Sequence, residues 1–295
     1  MSSTDSSPGD DTTLREDSAL DEPLRRVAYE AGMLLGLEAT RAEQTYHRRR
    51  LTRQQYWLHG AGTIAGLRVW LDPAESDTPD ADMLTRVLVG PGLAIDALGR
   101  ELMITETHCL DLRAWLQAQS ATALAEGTDG GTLRLLLTVR YADCPVAAQP
   151  VLARKLNLST DAVQPSRIAD GVALTLAPEP PAAAAAGYHP WPRHPAVPEL
   201  TADEEAAVQA TTDTPEAAAQ LRLHARLLHL FDDDATPAPE PPDPAAAAKV
   251  PLARLSMQAP DLDNIVVNPA HIAVDNLIRP FVTTAAQLAR LARGG

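Results

Sequence analysis

The chain has 295 residues and a formal net charge of −14, with 39 acidic against 25 basic residues. Hydrophobic residues make up 45 %, enough for a sizeable core and too many for a chain that stays disordered. The acidic balance argues against nucleic acid or an anionic membrane surface as the main partner, and no stretch approaches the ~18 consecutive apolar residues of a membrane span. Two cysteines, Cys109 and Cys144, are too few for a disulfide framework. They are expected as reduced thiols in a protein that folds in the cytoplasm, with a single bridge between them left open.

Residues 1–22 are rich in Ser, Thr, Asp and Gly, with no basic start and no apolar run. They read as a disordered acidic tail and not as a secretory signal. A helix-plus-β core is expected over 23–177. Val27–Leu37 places Gly32 and Gly36 inside an apolar run; each Gly costs a helix ~1 kcal/mol relative to Ala, so a strand or an irregular buried segment competes with helix there. Thr40 and Glu43 have capping-box spacing, which predicts a helix over Arg41–Leu58 that ends at His59-Gly60.

Strand texture follows. Gly66–Leu71 alternates loosely. Thr85–Thr105 holds two β-rich runs around Asp96-Ala-Leu-Gly99, a hairpin loop in which Gly99 supplies the positive φ. Gly90-Pro91-Gly92 breaks the first arm with a bulge or bend. Asp111–Gln119 reads as a short helix with Leu112, Trp115 and Leu116 on one side. Thr132–Tyr141 is a buried strand, with Cys144 as a small apolar residue at its end, and Gly171–Leu176 is another.

Residues 178–249 change texture to Pro and Ala and read as an insertion. One helix is predicted in it, opened by Thr214-Pro215-Glu216, carrying Leu221, Leu227, Leu228 and Phe231, and stopped by Asp232-Asp233-Asp234. Residues 250–295 return to the core through strands at Val250–Met257 and Ile265–Val267. A last helix is capped by Thr283 or Thr284, runs through Leu288 and Leu291 and ends at Gly294-Gly295. The fold class is therefore α+β: a mainly antiparallel sheet or sandwich, a long N-terminal helix, a partly helical insertion and a short C-terminal helix.

Residues that would carry chemistry do not converge in the sequence. Gly60-x-Gly62-x-x-x-Gly66 fits neither phosphate-loop pattern and reads as a helix-to-strand corner. The eight histidines form no zinc spacing, and there is no nucleophile elbow. No catalytic residue, cofactor or metal ligand is assigned. The local charge anomaly is Arg48, Arg49, Arg50 and Arg53 on the long helix. They either pair with the chain's own carboxylates or dock an acidic face of a neighbouring subunit, for which arginine's planar fork is suited.

Three strings in order carry a resemblance: Gly32-Met-Leu-Leu35 with Glu43-Gln44, Tyr46-His47-Arg48 and Leu58-His59-Gly60 leading to Gly66-Leu67-x-Val69; Pro91-Gly-Leu-Ala-Ile-Asp96 followed by Gly99-Arg-Glu101; and Tyr141 before Pro145-Val146, with Pro165-Ser-Arg-Ile168 before a strand. Together they resemble a family of structural or adaptor proteins encoded with phage-tail-like contractile injection systems. The resemblance implies a role near the baseplate, spike or fibre attachment, other particle subunits as partners, a homo-oligomer within the assembly, and a cytoplasmic protein assembled into a particle without membrane insertion. A receptor- or glycan-binding module of a tail fibre is the alternative, and a hydrolase or metal enzyme a remote one.

Overall fold

The computed structural model describes Leu14, Asp17 and residues 23–72, 85–150, 163–180, 199–212, 214–228 and 243–292. Of the expected acidic tail, only Leu14 and Asp17 are described, and both are helical. The chain divides into two compact units, residues 1–188 with 244–295, and residues 189–243.

From residue 23 the first unit runs through an irregular segment to Gly36 and then helix α1, Leu37–His59. Three strand pairs follow: β1 Gly62–Gly66 and β2 Val69–Asp72, β3 Arg86–Val89 and β4 Gly92–Ile95, β5 Glu101–Ile104 and β6 His108–Asp111. β1 pairs with β4 and β4 with β5, while β2 pairs with β3 and β3 with β6, all antiparallel. These six strands are thus three long strands, each bent once, so one meander supplies two three-stranded sheets.

Glycine makes the bend. The amide of Leu67 donates to Pro91 O at 3.0 Å and that of Gly90 to Arg68 O at 2.9 Å. A Cβ at Gly66 would stand 2.2 Å from Pro91 O, and one at Gly92 2.3 Å from Leu67 N. Only glycine lets the two backbones come this close. Leu67 itself takes φ 55° and is fully buried, so packing holds it in a region disfavoured for a branched side chain. The sequence-predicted strand Gly66–Leu71 is broken at this corner.

Helices α2 (Leu112–Gln117) and α3 (Ala121–Ala125) come next, each capped from its N-cap side chain, Asp111 onto Ala114 N and Ser120 onto Ala123 N. As expected, Leu112 and Leu116 of α2 are buried and Trp115 packs against the core. The third sheet contains β7 (Thr128–Asp129), β8 (Thr132–Pro150), β9 (Val163–Pro178), β10 (Lys249–Gln258) and β11 (Ala273–Asp275). Its order is β11-β10-β8-β7, with β9 beside β8. Leu133, Leu135, Leu137 and Val139 alternate inward from β8 and meet Val250, Leu252 and Leu255 of β10 in one hydrophobic core with the meander. Each such side chain contributes ~1.5–3 kcal/mol on burial.

The returning chain clasps the meander. Asn276 accepts from Val69 N at 2.8 Å and donates to Val69 O at 2.9 Å, as a strand neighbour would. The Arg279 side chain, 4 % exposed, donates to Leu67 O, Asn276 O and Asn276 Oδ1 at 2.8, 2.9 and 2.5 Å. Burial lowers its pKa to about 10. Thr63 N donates to Pro280 O at 2.8 Å and Val282 N returns to Thr63 O at 2.9 Å. The short helix α6 (Pro244–Ala247) precedes β10, and α7 (Ala285–Ala292) ends the described chain. Thr284 is its cap: Gln287 N donates to Thr284 Oγ1 and Thr284 N to Gln287 Oε1.

The second unit contains α4 (Ala202–Thr211) and α5 (Pro215–Leu228). Thr201 and Glu204 form a capping box on α4. Val208 and Ala218 are buried. Arg222 Nε donates to both Glu205 oxygens, at 3.0 and 2.9 Å, holding that carboxyl down at about 2. The helix start at Pro215 is as predicted; Phe231 and Asp232–Asp234 lie outside the described residues.

Several expectations are corrected. Thr40 does not cap α1: the helix begins at Leu37 behind Gly36, and Thr40 Oγ1 donates to Gly36 O at 3.3 Å. Leu37-Glu38-Ala39 are good helix formers and Glu38 suits the positive end of the helix dipole. The segment before it is irregular but exposed, not buried. Cys144 lies within β8, not at a strand end, because β9 follows β8 to Pro150. It and Cys109 are both free and exposed. Ile265–Val267 is not a strand; Ile265 and Val267 instead pack irregularly on the core.

Gly99 has φ 81°, and a Cβ there would stand 1.8 Å from Thr52 O of α1; Gly130 has φ 56° with open space around it. Gly99→Ala is therefore expected to cost ~3 kcal/mol, backbone strain plus overpacking, and Gly130→Ala only ~1 kcal/mol. Thermal unfolding of the two variants side by side checks the difference.

Candidate functional site

The hairpin loop expected at Asp96–Gly99 is present, and it is buried. Asp96 is fully enclosed and Arg100 nearly so. Asp96 Oδ1 accepts from Leu98 N at 2.9 Å and Arg100 N at 2.8 Å, and Oδ2 accepts from Arg100 Nε at 2.7 Å. Burial pushes the Asp96 pKa up to about 6 despite the opposing guanidinium. The far side of that guanidinium lies over the Tyr141 ring of β8, 5.2 Å from its centroid. Ala97 N donates to Ala247 O of α6 at 3.0 Å. The conspicuous Asp-x-x-Gly-Arg string thus builds a turn onto which α1, α6 and β8 pack.

Next to this turn, Ala97, Leu98, Ala247 and Ala248 form a small buried cluster against which Leu14 and Ala61 pack. Three residues on from Leu14, one helical turn, Asp17 is buried and its Oδ1 accepts from Arg48 Nε at 3.1 Å. Leu14 therefore packs beside the turn, and Asp17 pairs with the arginine helix.

The four arginines do not form one patch. Arg49 and Arg53 are four apart and share a face of α1, whereas Arg48 and Arg50 lie to either side. Arg48, Arg49 and Arg53 are half-buried and Arg50 is exposed. Arg50 donates to Tyr46 Oη at 3.0 Å. Thr52 and Tyr56 make the buried face. Leu51 and Leu58 face outward, and so do Tyr29, Met33, Leu34, Leu35 and Leu37 just before and at the helix start. An open cleft of about 390 Å³ lies among Tyr29, Leu35, Ala39, Glu43 and His47. Two of its polar members are tied to each other, His47 Nε2 to Glu43 Oε1 at 3.0 Å.

The second exposed feature is a ribbon. β10 pairs with β8 only as far as Arg140, whereas β9 follows β8 to Pro150. Beyond Arg140 the strands continue as a two-stranded arm with both outer edges unpaired among the described residues. Most of its side chains are exposed, Val146 and Ile168 among them. At its base Tyr141 Oη donates to Asp170 Oδ1 at 2.6 Å. Burial, then hydrogen bonds to Asp170 and Asp143, raise the Tyr141 pKa above its ordinary value. Pro145, Pro150 and Pro165 along the strands remove backbone donors, a usual guard on such edges.

Sequence reasoning placed the arginines and the hairpin but missed Leu14, Asp17 and the ribbon. The Leu14-x-x-Asp17 spacing is the signal for the first, a lone apolar residue one turn from a carboxylate. The ribbon carries no strong alternation, because neither of its faces is covered. Among the described residues no group of three or more His, Cys, Asp or Glu side chains gathers to hold a metal ion, and no described helix is long and apolar enough to cross a membrane. No known protein-family model matches the chain, and neither does any curated protein.

Arg100→Met would leave Asp96 buried without its counter-charge, at ~3–5 kcal/mol. The folded Asp96 keeps its proton up to about pH 6, against 3.8 for the unfolded carboxyl. The folded state therefore binds more protons between those values. This group's stabilising contribution is fully present below about pH 4 and is lost as pH rises through 6. Losing Arg100 moves that pKa higher still, so the penalty of the variant is expected to be smaller at pH 5 than at pH 7.5. Denaturant unfolding of both chains at the two pH values reads it.

Proposed function

We propose that this protein is a structural or adaptor subunit that works by docking to other protein subunits, in a phage-tail-like contractile injection particle. The observation that carries the docking reading is the β8–β9 arm. A two-stranded ribbon exposed on both faces is at best marginally stable alone in water, and a neighbouring subunit that covers it supplies the missing burial. Strand addition along its edges and packing across its faces are both open to such a neighbour. The uncovered apolar side chains before and along α1 point the same way, since contiguous exposed apolar surface marks interaction sites. The particle context comes from the resemblance of the Gly-Met-Leu-Leu, Pro-Gly-Leu-Ala-Ile-Asp and Pro-Ser-Arg-Ile strings. The position within it, near the baseplate, spike or fibre attachment, comes from the same strings.

Purified particles from cells that make the chain are expected to contain it in a fixed ratio to the other subunits, and deletion of its gene to leave particles incomplete. Its absence from purified particles, with assembly unimpaired by deletion, would overturn the reading. A variant lacking residues 144–169, closed by a short Gly-Ser turn, keeps the paired base of β8 and β9. It is expected to fold with an unchanged circular dichroism melt for the rest of the chain and to drop out of the particles.

A further inference from the structure

We propose that Arg100 is the moving part of an acid-responsive contact within this chain. When Asp96 takes up a proton, the guanidinium leaves it, swings along the Tyr141 ring to Asp143 and Asp170, and tightens the base of the β8–β9 arm. The proposal goes beyond subunit docking, since it concerns one chain by itself, and it is tested apart from any particle.

Three carboxylates and one arginine meet around one aromatic ring. Asp96 is fully enclosed, and its Oδ2 accepts from Arg100 Nε at 2.7 Å. The guanidinium carbon lies 5.2 Å from the centroid of the Tyr141 ring. The hydroxyl of that ring donates to Asp170 Oδ1 at 2.6 Å, and Asp143 shares its hydrogen bonding. Asp143 and Asp170 stand directly opposite each other in the β8–β9 register. Like charges so placed weaken a strand pair, and a cation brought between them removes the repulsion.

The enclosed pair supplies the trigger. Burial holds the Asp96 carboxyl at a pKa of about 6 against the pull of Arg100. Above that pH the carboxylate keeps the guanidinium. Below it the neutral carboxyl still accepts from Leu98 N and Arg100 N, so the turn keeps its shape. The guanidinium, 5 % exposed, has then lost its counter-charge, and an enclosed charge without a partner is costly. Asp143 is half-buried and Asp170 exposed, so a cation that moves to them also regains water.

The charged group acting on Asp96 is Arg100. The other elements meet the turn through uncharged groups: α1 through Thr52 O against Gly99, α6 through Ala247 O on Ala97 N, and β8 through the Tyr141 ring. Glu101, the next residue along, is exposed.

Hydrogen–deuterium exchange of the full-length chain at pH 5 and 7.5 tests this, with each rate corrected for its intrinsic pH dependence. Protection over residues 141–146 and 167–172 is expected to be at least ~tenfold higher at pH 5, the worth of one hydrogen bond between charged groups. The rise is expected to be half complete near pH 6. Asp96→Asn is neutral at every pH and is expected to show the high protection at both. Asp143→Asn together with Asp170→Asn removes the destination and leaves the turn intact, so its protection is expected not to change with pH.

Wild-type protection that stays level or falls on acidification overturns the proposal. So does a rise that persists in the double variant, or an Asp96→Asn chain that titrates like wild type. Circular dichroism shows whether each variant is folded; should Asp96→Asn unfold, the double variant, whose changes lie on the arm, decides. None of these outcomes bears on whether the protein co-purifies with particles, so the two readings fail separately.

Discussion

Helix α1, helix α6, Tyr141 of β8 and Leu14 converge on the buried Asp96–Arg100 turn. An ion pair enclosed in protein is costly unless its remaining polar atoms are satisfied, and here the chain satisfies them with its own backbone. Leu98 N and Arg100 N fill one carboxylate oxygen, the guanidinium Nε fills the other, and the Tyr141 ring covers the guanidinium. The turn is therefore rigid, and its outer surface serves as a platform. Thr52 of α1 rests on Gly99, Ala247 pairs with Ala97, and Leu14 closes the small cluster at its side. The long helix, the α6 segment that leads into β10 and Leu14 all pack on one hairpin loop.

The second organising constraint is the glycine corner. Three strands are bent at the same level, so a single meander makes two sheets and wraps the core from two sides. The close approaches at Gly66 and Gly92 leave no room for a Cβ, and the returning segment locks the bend with Asn276 and Arg279. A buried arginine that spends its donors on two carbonyls and an amide oxygen is a device for holding backbone, not for binding. Among the described residues, Asp96, Asp111 and Arg279 are used in this way: they fix a turn, a cap and a corner.

Among the described residues, three uncovered features are apolar or edge-like: the segment before α1, the outward leucines of that helix, and the β8–β9 arm. These features sit on the periphery of a well-satisfied core. That division, a rigid inside with unfinished outer surfaces, is what the subunit-docking reading rests on.

Local chemistry was enough to specify several elements from the sequence. The Asp96–Gly99 loop, the α2 face with Leu112 and Leu116, the Thr-Pro-Glu start of α5, a helix cap at Thr283 or Thr284, and the buried halves of β8 and β10 follow from turn residues, caps and periodicity that act over a few positions. Thr40–Glu43 misled because two helix-start signals lay a turn apart, and the earlier one wins when good helix formers follow it. Other features were decided only in three dimensions. The bend of three strands needs Gly66 to meet Pro91 and Gly92 to meet Leu67. The length of the arm depends on β9 pairing far beyond the core, where no alternation marks it. The meeting of Asp17 with Arg48 joins positions 31 apart. In each case the deciding contact is between segments distant in the chain, and its strength comes from desolvation and close fit, which residue order alone does not encode.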